Sequence, residues 1–442
     1  MLILKNEGKG IMKVSIFTPS HNSKYLKQLY ESIQNQNFYE WVILAQNIEV
    51  PDFKDPRVKV INYPMFGEHY VGALKLQACK HCTGDIFFEL DHDDLLVSTA
   101  IEECIKAFED PEIGFVYSNT ANFKGNFEKT ERYNSAHGWK YTPFHGVFEN
   151  GSIVDKTDII KDTLLKGNTA GSAFIDLDCH LGFEPTPASV SRIWYAPNHF
   201  RAWRKDVYWK AGGHNPRMRV LDDQDLIMKT YNITKCKHIN KCLYLYRVDG
   251  NNTWLKYNKE IQDNTMRLYD ENIENLAIKW AENNNLLKLD LGGRFGQDKR
   301  YLSVDLKDCD IKLDLNSDWS TFGDNSVGVI RVNDILEHLK DPIEVMKKIY
   351  RVLVPGGYCF IRVPSTDGRG AWQDPTHVSF WNENSFLYYT DKLWAQYIDS
   401  PVKFQELRRY TTEKNNIGVC WVVCHLLKLV DGMQRPPGII NI

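Results

Sequence analysis

The acidic turn Asp91-His92-Asp93-Asp94 holds the residues whose types and spacing most directly indicate chemistry. It follows the apolar run DIFFEL, which ends at Leu90 and is typical of a buried strand. In an open parallel sheet, ligands bind beyond the carboxyl ends of the strands. Crowded carboxylates repel one another unless a cation lies among them, and Mn²⁺ or Mg²⁺ binds oxygen while keeping positions free for phosphates. The turn therefore indicates a divalent ion that neutralises a departing diphosphate.

The acidic candidates each have a second interpretation. In the turn itself, the carboxylates could be solvated or could cap the start of a helix. Asp222 and Asp223, in VLDDQDLIMK, are residues of a type that caps the helix beginning there. Asp249 is of a type that shapes the turn before Gly250.

A second candidate site lies in the other half of the chain. The strand-like KLDL is followed by a glycine-rich turn at Gly292 and Gly293, and Asp305 ends the next strand-like run, YLSVDL. Glycines let the backbone approach a ligand closely, and a carboxylate at that place can accept hydrogen bonds from both hydroxyls of a ribose. The pair indicates a nucleotide-containing cofactor. A nicotinamide dinucleotide would fit these two features, but nothing else in the sequence indicates a nicotinamide site.

Two smaller groups of reactive residues have a chemical and a structural interpretation. His377 and Asp374, in the polar loop DGRGAWQDPTHVSFW, are candidate bases or ordinary loop residues. Cys79 and Cys82 form one CxxC pair, which supplies at most half of a tetrahedral zinc site. Their helical periodicity favours packing over metal binding.

Strand and helix patterns alternate in both halves and must position these residues. Strands are predicted at 13–18, 41–45 and 85–90, with helices between them, and such alternation is typical of a mostly parallel sheet. Weak periodicity over 124–193 predicts a loop-rich region near the site. After a polar helical stretch at 256–285 the alternation restarts, which predicts a second domain.

Composition excludes some classes of function. The net charge of -3 provides no basic field for nucleic acid or an anionic membrane. We find no run of the ~20 apolar residues that a membrane-spanning helix requires. The 10 cysteines are scattered, which predicts a reducing, cytoplasmic location.

Residues 12–255 resemble glycosyltransferase family 2, the inverting enzymes of GT-A fold. The resemblance is carried, in chain order, by VSIFTPSHN, TGDIFFELDHDDLL, AWRKDVYWKAGGHN, VLDDQDLIMK and LYLYRVDGNNTW. Where the family has an aspartate that contacts the nucleobase, this chain has Gln46 and Asn47. Where the family has a histidine that can add a metal ligand, this chain has Asp249, which either supplies an oxygen ligand instead or only shapes the turn.

The resemblance implies a role for each matching residue. Asp91 and Asp93 would bind Mn²⁺ or Mg²⁺, with Asp91 also contacting the nucleotide. Asp223 would be the general base that accepts the proton of the acceptor hydroxyl. Contacts with the nucleotide-sugar donor or the acceptor are implied for Pro19, Ser20, Asn22, Arg204 and Asp222.

Residues 286–430 resemble class I methyltransferases, especially the small type found beside sugar-modifying enzymes. The segment NDILEHLKDPIEVMKKIYRVLVPGGYCFIRVPS carries most of the resemblance. It implies that S-adenosylmethionine is the cofactor. The residues implied to hold it are Gly292 and Gly293 at the methionine part, Asp305 at the ribose, Leu315 near adenine and Asn333 in the methyl-donor pocket.

We therefore expect an α/β chain with a GT-A nucleotide-diphospho-sugar transferase domain at 12–255, a helical linker at 256–285 and a Rossmann-like class I methyltransferase domain at 286–442. The expected function is metal-dependent, inverting transfer of a sugar to a glycan or other hydroxyl acceptor, followed by methylation of the product. Two alternatives stay open. One is a glycosyltransferase with a non-catalytic methyltransferase-like domain, and the other is a non-catalytic glycan-binding or scaffold protein.

Overall fold

The computed structural model describes residues 12–64, 70–133, 135, 138–160, 173–249, 252–294 and 296–431. The chain divides into two compact units between Asn272 and Ile273, inside a long helix. The domain boundaries expected at residues 255 and 286 stay predictions.

The N-terminal unit is built on a twelve-stranded sheet. Its strands are β1 (Val14–Ser20), β2 (Glu40–Ala45), β3 (Val58–Asn62), β4 (Ile86–Glu89), β5 (Leu95–Leu96), β6 (Ile113–Lys124), β7 (Glu128–Lys129), β8 (Tyr141–Glu149), β9 (Ser152–Asp155), β10 (Ala173–His180), β11 (Arg201–Arg204) and β12 (Lys235–Arg247). The helices that accompany them are α1 (Leu26–Ile33), α2 (Val71–Lys80), α3 (Ala100–Ala107), α4 (Thr157–Ile160), α5 (Pro187–Val190), α6 (Lys205–Lys210), α7 (Asp222–Tyr231), α8 (Thr253–Lys256) and α9 (Asn258–Asn283), the last of which continues into the second unit.

The first half of this sheet is parallel, as the strand–helix alternation predicted. The main strand order is β3-β2-β1-β4-β11-β6-β10-β8-β9, and β1, β2, β3 and β4 run in one direction. All six residues of β2 are buried, as expected of a central strand covered on both faces. The spacing of Leu26, Leu29 and Ile33 places all three on the buried side of α1.

The region around 124–193 is more regular than its sequence predicted. The described part contains β8, β9 and β10, and β10 pairs antiparallel with both β6 and β8. The prediction of a loop-rich region was wrong because these strands extend the sheet through backbone pairing. Strand β8 (YTPFHGVFE) mixes polar, aromatic and glycine residues, so only some of its side chains are buried and its hydrophobic pattern is weak.

The C-terminal unit has a seven-stranded sheet. Its strands are β13 (Leu287–Leu291), β14 (Leu302–Asp305), β15 (Ile311–Lys312), β16 (Val327–Asn333), β17 (Leu353–Pro364), β18 (Phe404–Thr411) and β19 (Trp421–Lys428). Its helices after α9 are α10 (Pro342–Val352), α11 (Gly370–Gln373), α12 (Leu387–Thr390) and α13 (Lys392–Ala395), with 3-10 turns at Leu336–His338 and Glu383–Phe386.

The strand order of this second sheet is β15-β14-β13-β16-β17-β19-β18, with β19 antiparallel to both neighbours. The chain winds to one side from β13 and to the other from β16, so the carboxyl ends of these two strands form a topological switch point, where ligands of open α/β sheets bind. Among the described residues, no helix combines the length and apolar character that crossing a membrane requires.

Candidate functional site

The carboxyl ends of β1, β2 and β4 border a cavity of about 310 Å³ in the N-terminal unit. The start of α7 and the segment after β12 complete its wall. The sequence-predicted residues that line it are Pro19, Asn22, Asp91, Asp93, Asp222 and Asp223. Separate segments of the sequence thus supply one cavity, which Asp249 and Gln46 also line.

Two predicted residues are not among the described residues that line this cavity. Ser20 is buried, and its hydroxyl donates to the Asn22 carbonyl at 3.0 Å, which holds the turn after β1. Arg204 lies opposite Ile86, at the beginning of β4 and not at its carboxyl end. Its guanidinium donates to three carbonyl oxygens in the segment 108–113. The structure therefore does not bring Arg204 to the cavity.

The acidic turn is held in place by β12. The carboxylate of Asp94 is fully buried and accepts hydrogen bonds from the Tyr244 hydroxyl and the Arg247 amide, each at 2.7 Å. The Arg247 guanidinium also donates to the Asp93 carbonyl at 2.7 Å. Asp94 thus anchors the turn, which leaves the side chains of Asp91 and Asp93 directed to the cavity.

The electrostatics of the turn fit a bound cation. Burial and the negative charge of Asp91, with a smaller effect of Asp249, raise the pKa of Asp93 to about 6. A carboxylate in such surroundings is stabilised when a positive charge joins it. Magnesium and manganese sites at phosphates commonly use one or two protein carboxylates, which is what this turn offers.

Asp223 lies at the start of α7, where Leu221 occupies the N-cap position in a left-handed conformation. Neither Asp222 nor Asp223 is therefore the N-cap residue. The Arg201 guanidinium donates to Asp223 Oδ2 at 2.7 Å. Burial raises the pKa of Asp223, but the positive charges of Arg201 and Lys75 outweigh this and hold the pKa below its usual value. Asp223 is thus an ionised carboxylate facing the cavity, which is the state that a general base requires.

A buried charge network supports these carboxylates. Lys75 of α2 forms an ion pair with Glu89 of β4, and its Nζ lies 3.9 Å from Asp222 Oδ2. The approach of α2 to α7 requires Gly72, since a Cβ there would lie 2.1 Å from the Asn215 carbonyl oxygen. The network therefore fixes the start of α7 against the sheet.

In the C-terminal unit, the predicted cofactor residues follow adjacent parallel strands. Gly292, directly after β13, has a φ of 77°, and a Cβ there would lie 2.8 Å from Ile335, just beyond β16. Its amide donates to the Val304 carbonyl at 2.8 Å, next to Asp305 at the end of β14. The glycine turn, Asp305 and Asn333 are thus at the carboxyl edge of the sheet, by the switch point.

Leu315 and Gly293 are each closely packed against neighbouring residues. Leu315 is 5% exposed and packs within the hydrophobic core of this unit. A Cβ on Gly293 would lie 2.5 Å from Asp290 Oδ2, so only glycine fits there.

Two family models match the chain, in the order that the sequence predicted. The model described as Glycosyl transferase family 2 matches residues 15–160, and the model described as Methyltransferase domain matches residues 250–410. The chain joins a glycosyl transferase family 2 domain to a methyltransferase domain. The predicted fold class, a GT-A domain followed by a Rossmann-like domain, is confirmed by these matches and by the two sheets.

Two curated relatives are similar to this glycosyl transferase–methyltransferase chain. The chondroitin synthase of Escherichia coli is 24% identical over 285 residues, which are 61% of this chain and 34% of that protein. The hyaluronan synthase of Pasteurella multocida is 22% identical over 349 residues, 74% of this chain and 31% of that protein. The chain thus spans about a third of the length of the curated relatives it matches.

Two solved structures align with parts of the chain. S. aureus TarS 1-349 in complex with UDP-GlcNAc aligns with a TM-score of 0.40 and 14% identity, covering 61% of this chain and 71% of that one. A SAM dependent methyltransferase from Archaeoglobus fulgidus aligns with a TM-score of 0.24 and 15% identity, covering 35% of this chain and 94% of that one.

Sequence reasoning missed several charged residues of the glycosyl transferase domain that support the carboxylates of the cavity. Lys75 is on an otherwise apolar helix face, and Glu89 ends an otherwise apolar strand. A charged residue in each of two buried elements was the available signal, since buried charges are normally paired. Arg201 gave no comparable signal, because its partner Asp223 is 22 residues away in sequence.

Proposed function

We propose that the glycosyl transferase domain transfers a sugar from a nucleotide-sugar to a hydroxyl of a glycan or other acceptor, with inversion at the anomeric carbon. The observation that carries this proposal is that Asp91, Asp93 and Asp223 line one cavity. The nucleotide-facing segment after β1, the acidic turn and a candidate base are the parts such a reaction needs.

In this proposal each residue has a defined task. Asp93, with Asp91, would hold Mn²⁺ or Mg²⁺, whose positive charge would stabilise the departing nucleoside diphosphate. Asp223 accepts the proton of the acceptor hydroxyl as its oxygen attacks the anomeric carbon from the face opposite the diphosphate. Arg201 keeps Asp223 ionised and oriented. Asp222 helps to shape the acceptor side of the cavity.

Recognition of donor and acceptor is supported by two further cavity residues. Gln46 is 5% exposed, and its Nε2 has no hydrogen-bond partner among the described residues. A buried donor without a partner is costly, so we propose that it binds the nucleobase. Trp254, at 38% exposure, gives the acceptor a flat apolar surface. Relatives named for chondroitin and hyaluronan synthesis support a glycan acceptor.

We propose that the methyltransferase domain binds S-adenosylmethionine and methylates a hydroxyl of the glycosylated product. Gly292, Gly293 and Asn333 would surround the methionine part, Asp305 the ribose hydroxyls and Leu315 the adenine. The covalent link raises the concentration of the product of the first reaction near the second domain. Methylation removes a hydroxyl that could be extended, so we propose a chain-capping role.

The test of the sugar transfer is an assay of nucleoside diphosphate release with a panel of nucleotide-sugars and oligosaccharide acceptors, with and without Mn²⁺. We expect metal-dependent release from one donor class. Release from none of them would contradict the transferase assignment. The test of methylation adds labelled S-adenosylmethionine to the product, and absence of label in the glycan would remove the second step.

A further inference from the structure

Three side chains of the methyltransferase domain converge just beyond the end of β16. Glu337 and His338 belong to the 3-10 turn Leu336–His338, and His377 lies in the loop after α11. Their potential ligand atoms all lie within 4.8 Å of one another, and in the part of the chain that the structure describes this is the one such group of three. Glu337 and His338 follow Asn333, the last residue of β16, by only a few residues, so the group lies on the carboxyl side of the sheet, where ligands bind.

Both imidazole rings are oriented by partners at their Nδ1 atoms. His377 Nδ1 is 3.0 Å from the Ala371 carbonyl oxygen, and a carbonyl can only accept, so Nδ1 carries the proton. His338 Nδ1 is 3.1 Å from the Thr376 hydroxyl, whose own proton goes to Asp374 Oδ1 at 2.7 Å. In the neutral rings the lone pair is therefore on Nε2 in both residues. This is the arrangement by which proteins orient histidine ligands of metals.

Glu337 supplies a second, independent observation. It is 2% exposed, and its Oε2 has no hydrogen-bond partner among the described residues. Its Oε1 lies 3.9 Å from His377 Nε2, which is too long for a hydrogen bond. A buried carboxylate oxygen without a donor is costly, and a cation between these atoms would satisfy it.

The two segments that carry the group are fixed to each other by backbone bonds. The Glu337 carbonyl accepts from the amides of Val378 and Ser379 at 2.7 and 3.0 Å. The separation of 3.9 Å between Glu337 Oε1 and His377 Nε2 exceeds only slightly the distance of about 3.4 Å between two ligands of tetrahedral zinc. Binding of an ion would require the three ligand atoms, now within 4.8 Å of one another, to draw together slightly.

We propose that Glu337, His338 and His377 bind a divalent transition-metal ion, with zinc the best match, and that its open coordination position takes the acceptor hydroxyl of the methyl transfer. Two imidazoles and one carboxylate suit zinc, and three protein ligands leave one position free. The metal site stands by itself, whereas the role of the hydroxyl rests on the proposed methylation.

In that role the ion lowers the pKa of the bound hydroxyl. The hydroxyl oxygen forms a bond to the methyl carbon of S-adenosylmethionine as the carbon–sulfur bond breaks. The sulfonium becomes a thioether, and the hydroxyl proton passes to water. No further reactant is needed.

The test measures zinc alone, with the full chain first stripped by a chelator. Bound zinc is quantified after equilibrium dialysis, and Co²⁺ is used in parallel because its visible spectrum reports coordination. Glu337→Gln, His338→Gln and His377→Gln should each lose one equivalent of bound metal and the cobalt spectrum. His81→Gln, which removes a histidine from the glycosyl transferase domain, should keep both. The melting temperature without metal shows whether each variant is folded.

An absence of bound zinc and of a cobalt spectrum in the wild type would overturn the site, as would equal binding by the wild type and all three variants. The role in methylation is judged separately with labelled S-adenosylmethionine. We expect the metal-free protein to lose methylation and to regain it with zinc. Undiminished methylation without metal would overturn the role of the ion, and zinc binding without any methylation would instead contradict the proposed methyl transfer.

Discussion

Asp223 is the side chain on which the proposed sugar transfer depends most directly. It faces the cavity as a carboxylate whose charge is balanced by Arg201, so the amide of Asp223→Asn keeps the shape but cannot accept a proton. We expect kcat to fall by about 10²–10⁴-fold. The matched control is Asp225→Asn, on the same helix, whose carboxylate pairs with Lys229. Steady-state kinetics that show equal loss in both variants, or none in Asp223→Asn, would rule out the base assignment.

The raised pKa of Asp93 makes a prediction about stability. A carboxyl whose pKa rises from 3.8 to about 6 on folding favours the folded state fully below pH 3.8, and this contribution is lost as the pH rises through about 6. Replacing it with Asn should therefore stabilise the metal-free protein by about 3 kcal/mol above pH 6, and less toward pH 4. Urea unfolding from pH 4.5 to 7.5 measures this gain, and a loss of stability at neutral pH would show that the carboxylate is not in strained surroundings.

At the scale of elements, the carboxylate of Glu40 connects β2 to neighbouring segments through hydrogen bonds. Burial raises its pKa, but hydrogen bonds from Lys59, Ser15 and Thr83 outweigh this and lower the pKa to about 2. Because the folded pKa is depressed from 4.5, the contribution to stability is present above pH 4.5 and is lost as the pH falls through about 2.

Glu40→Gln should therefore lower the free energy of unfolding by about 2 kcal/mol at pH 7 and by much less near pH 2. Glu103→Gln, which breaks the more exposed pair with Lys241, should cost less than about 1 kcal/mol. Denaturant unfolding of both variants at several pH values provides the comparison, and an equal loss in the two would contradict the account of Glu40.

How far the elements could be predicted depended on how local their signals are. Strand β4 and the acidic turn were evident because an apolar run leads straight into charge. Strands β8 and β10 were missed because their stability comes from pairing partners distant in sequence. The role of Arg201 was missed for the same reason. The requirement for glycine at Gly72 was also missed, because it arises only where α2 approaches Asn215.

The candidate sites followed the same rule. Motif residues at strand ends, such as Asp91, Asp93 and Gly292, could be predicted, because the carboxyl ends of parallel strands are where ligands bind. Arg204 was expected to contact the donor or the acceptor, but it does not line the cavity. It pairs with Ile86 at the beginning of β4, whereas the cavity lies beyond the carboxyl end of that strand. His377 was predicted only as a candidate base or an ordinary loop residue, because its convergence with His338 depends on the tertiary fold.

At the scale of the whole molecule, each compact unit has its own hydrophobic core and its own candidate site. We therefore expect the two activities to be separable. Asp305→Asn should weaken S-adenosylmethionine binding at least about tenfold and leave sugar transfer intact, because it removes an acceptor for the ribose hydroxyls. Asp223→Asn should do the reverse. Calorimetry of cofactor binding and the transfer assay, run on both variants, decide this. If either substitution abolished both functions, the units would not be independent.

The central claim is that the acids around the first cavity hold a divalent ion against a nucleoside diphosphate. The most direct measurement is the melting temperature of the full chain with a panel of nucleoside diphosphates, with and without Mn²⁺, for the wild type and Asp93→Asn. Ligands that bind only the folded state raise this temperature. The account predicts that one nucleotide raises it only together with Mn²⁺, and that Asp93→Asn loses this increase. An increase that is the same without metal and in Asp93→Asn, or no increase with any nucleotide, would contradict it.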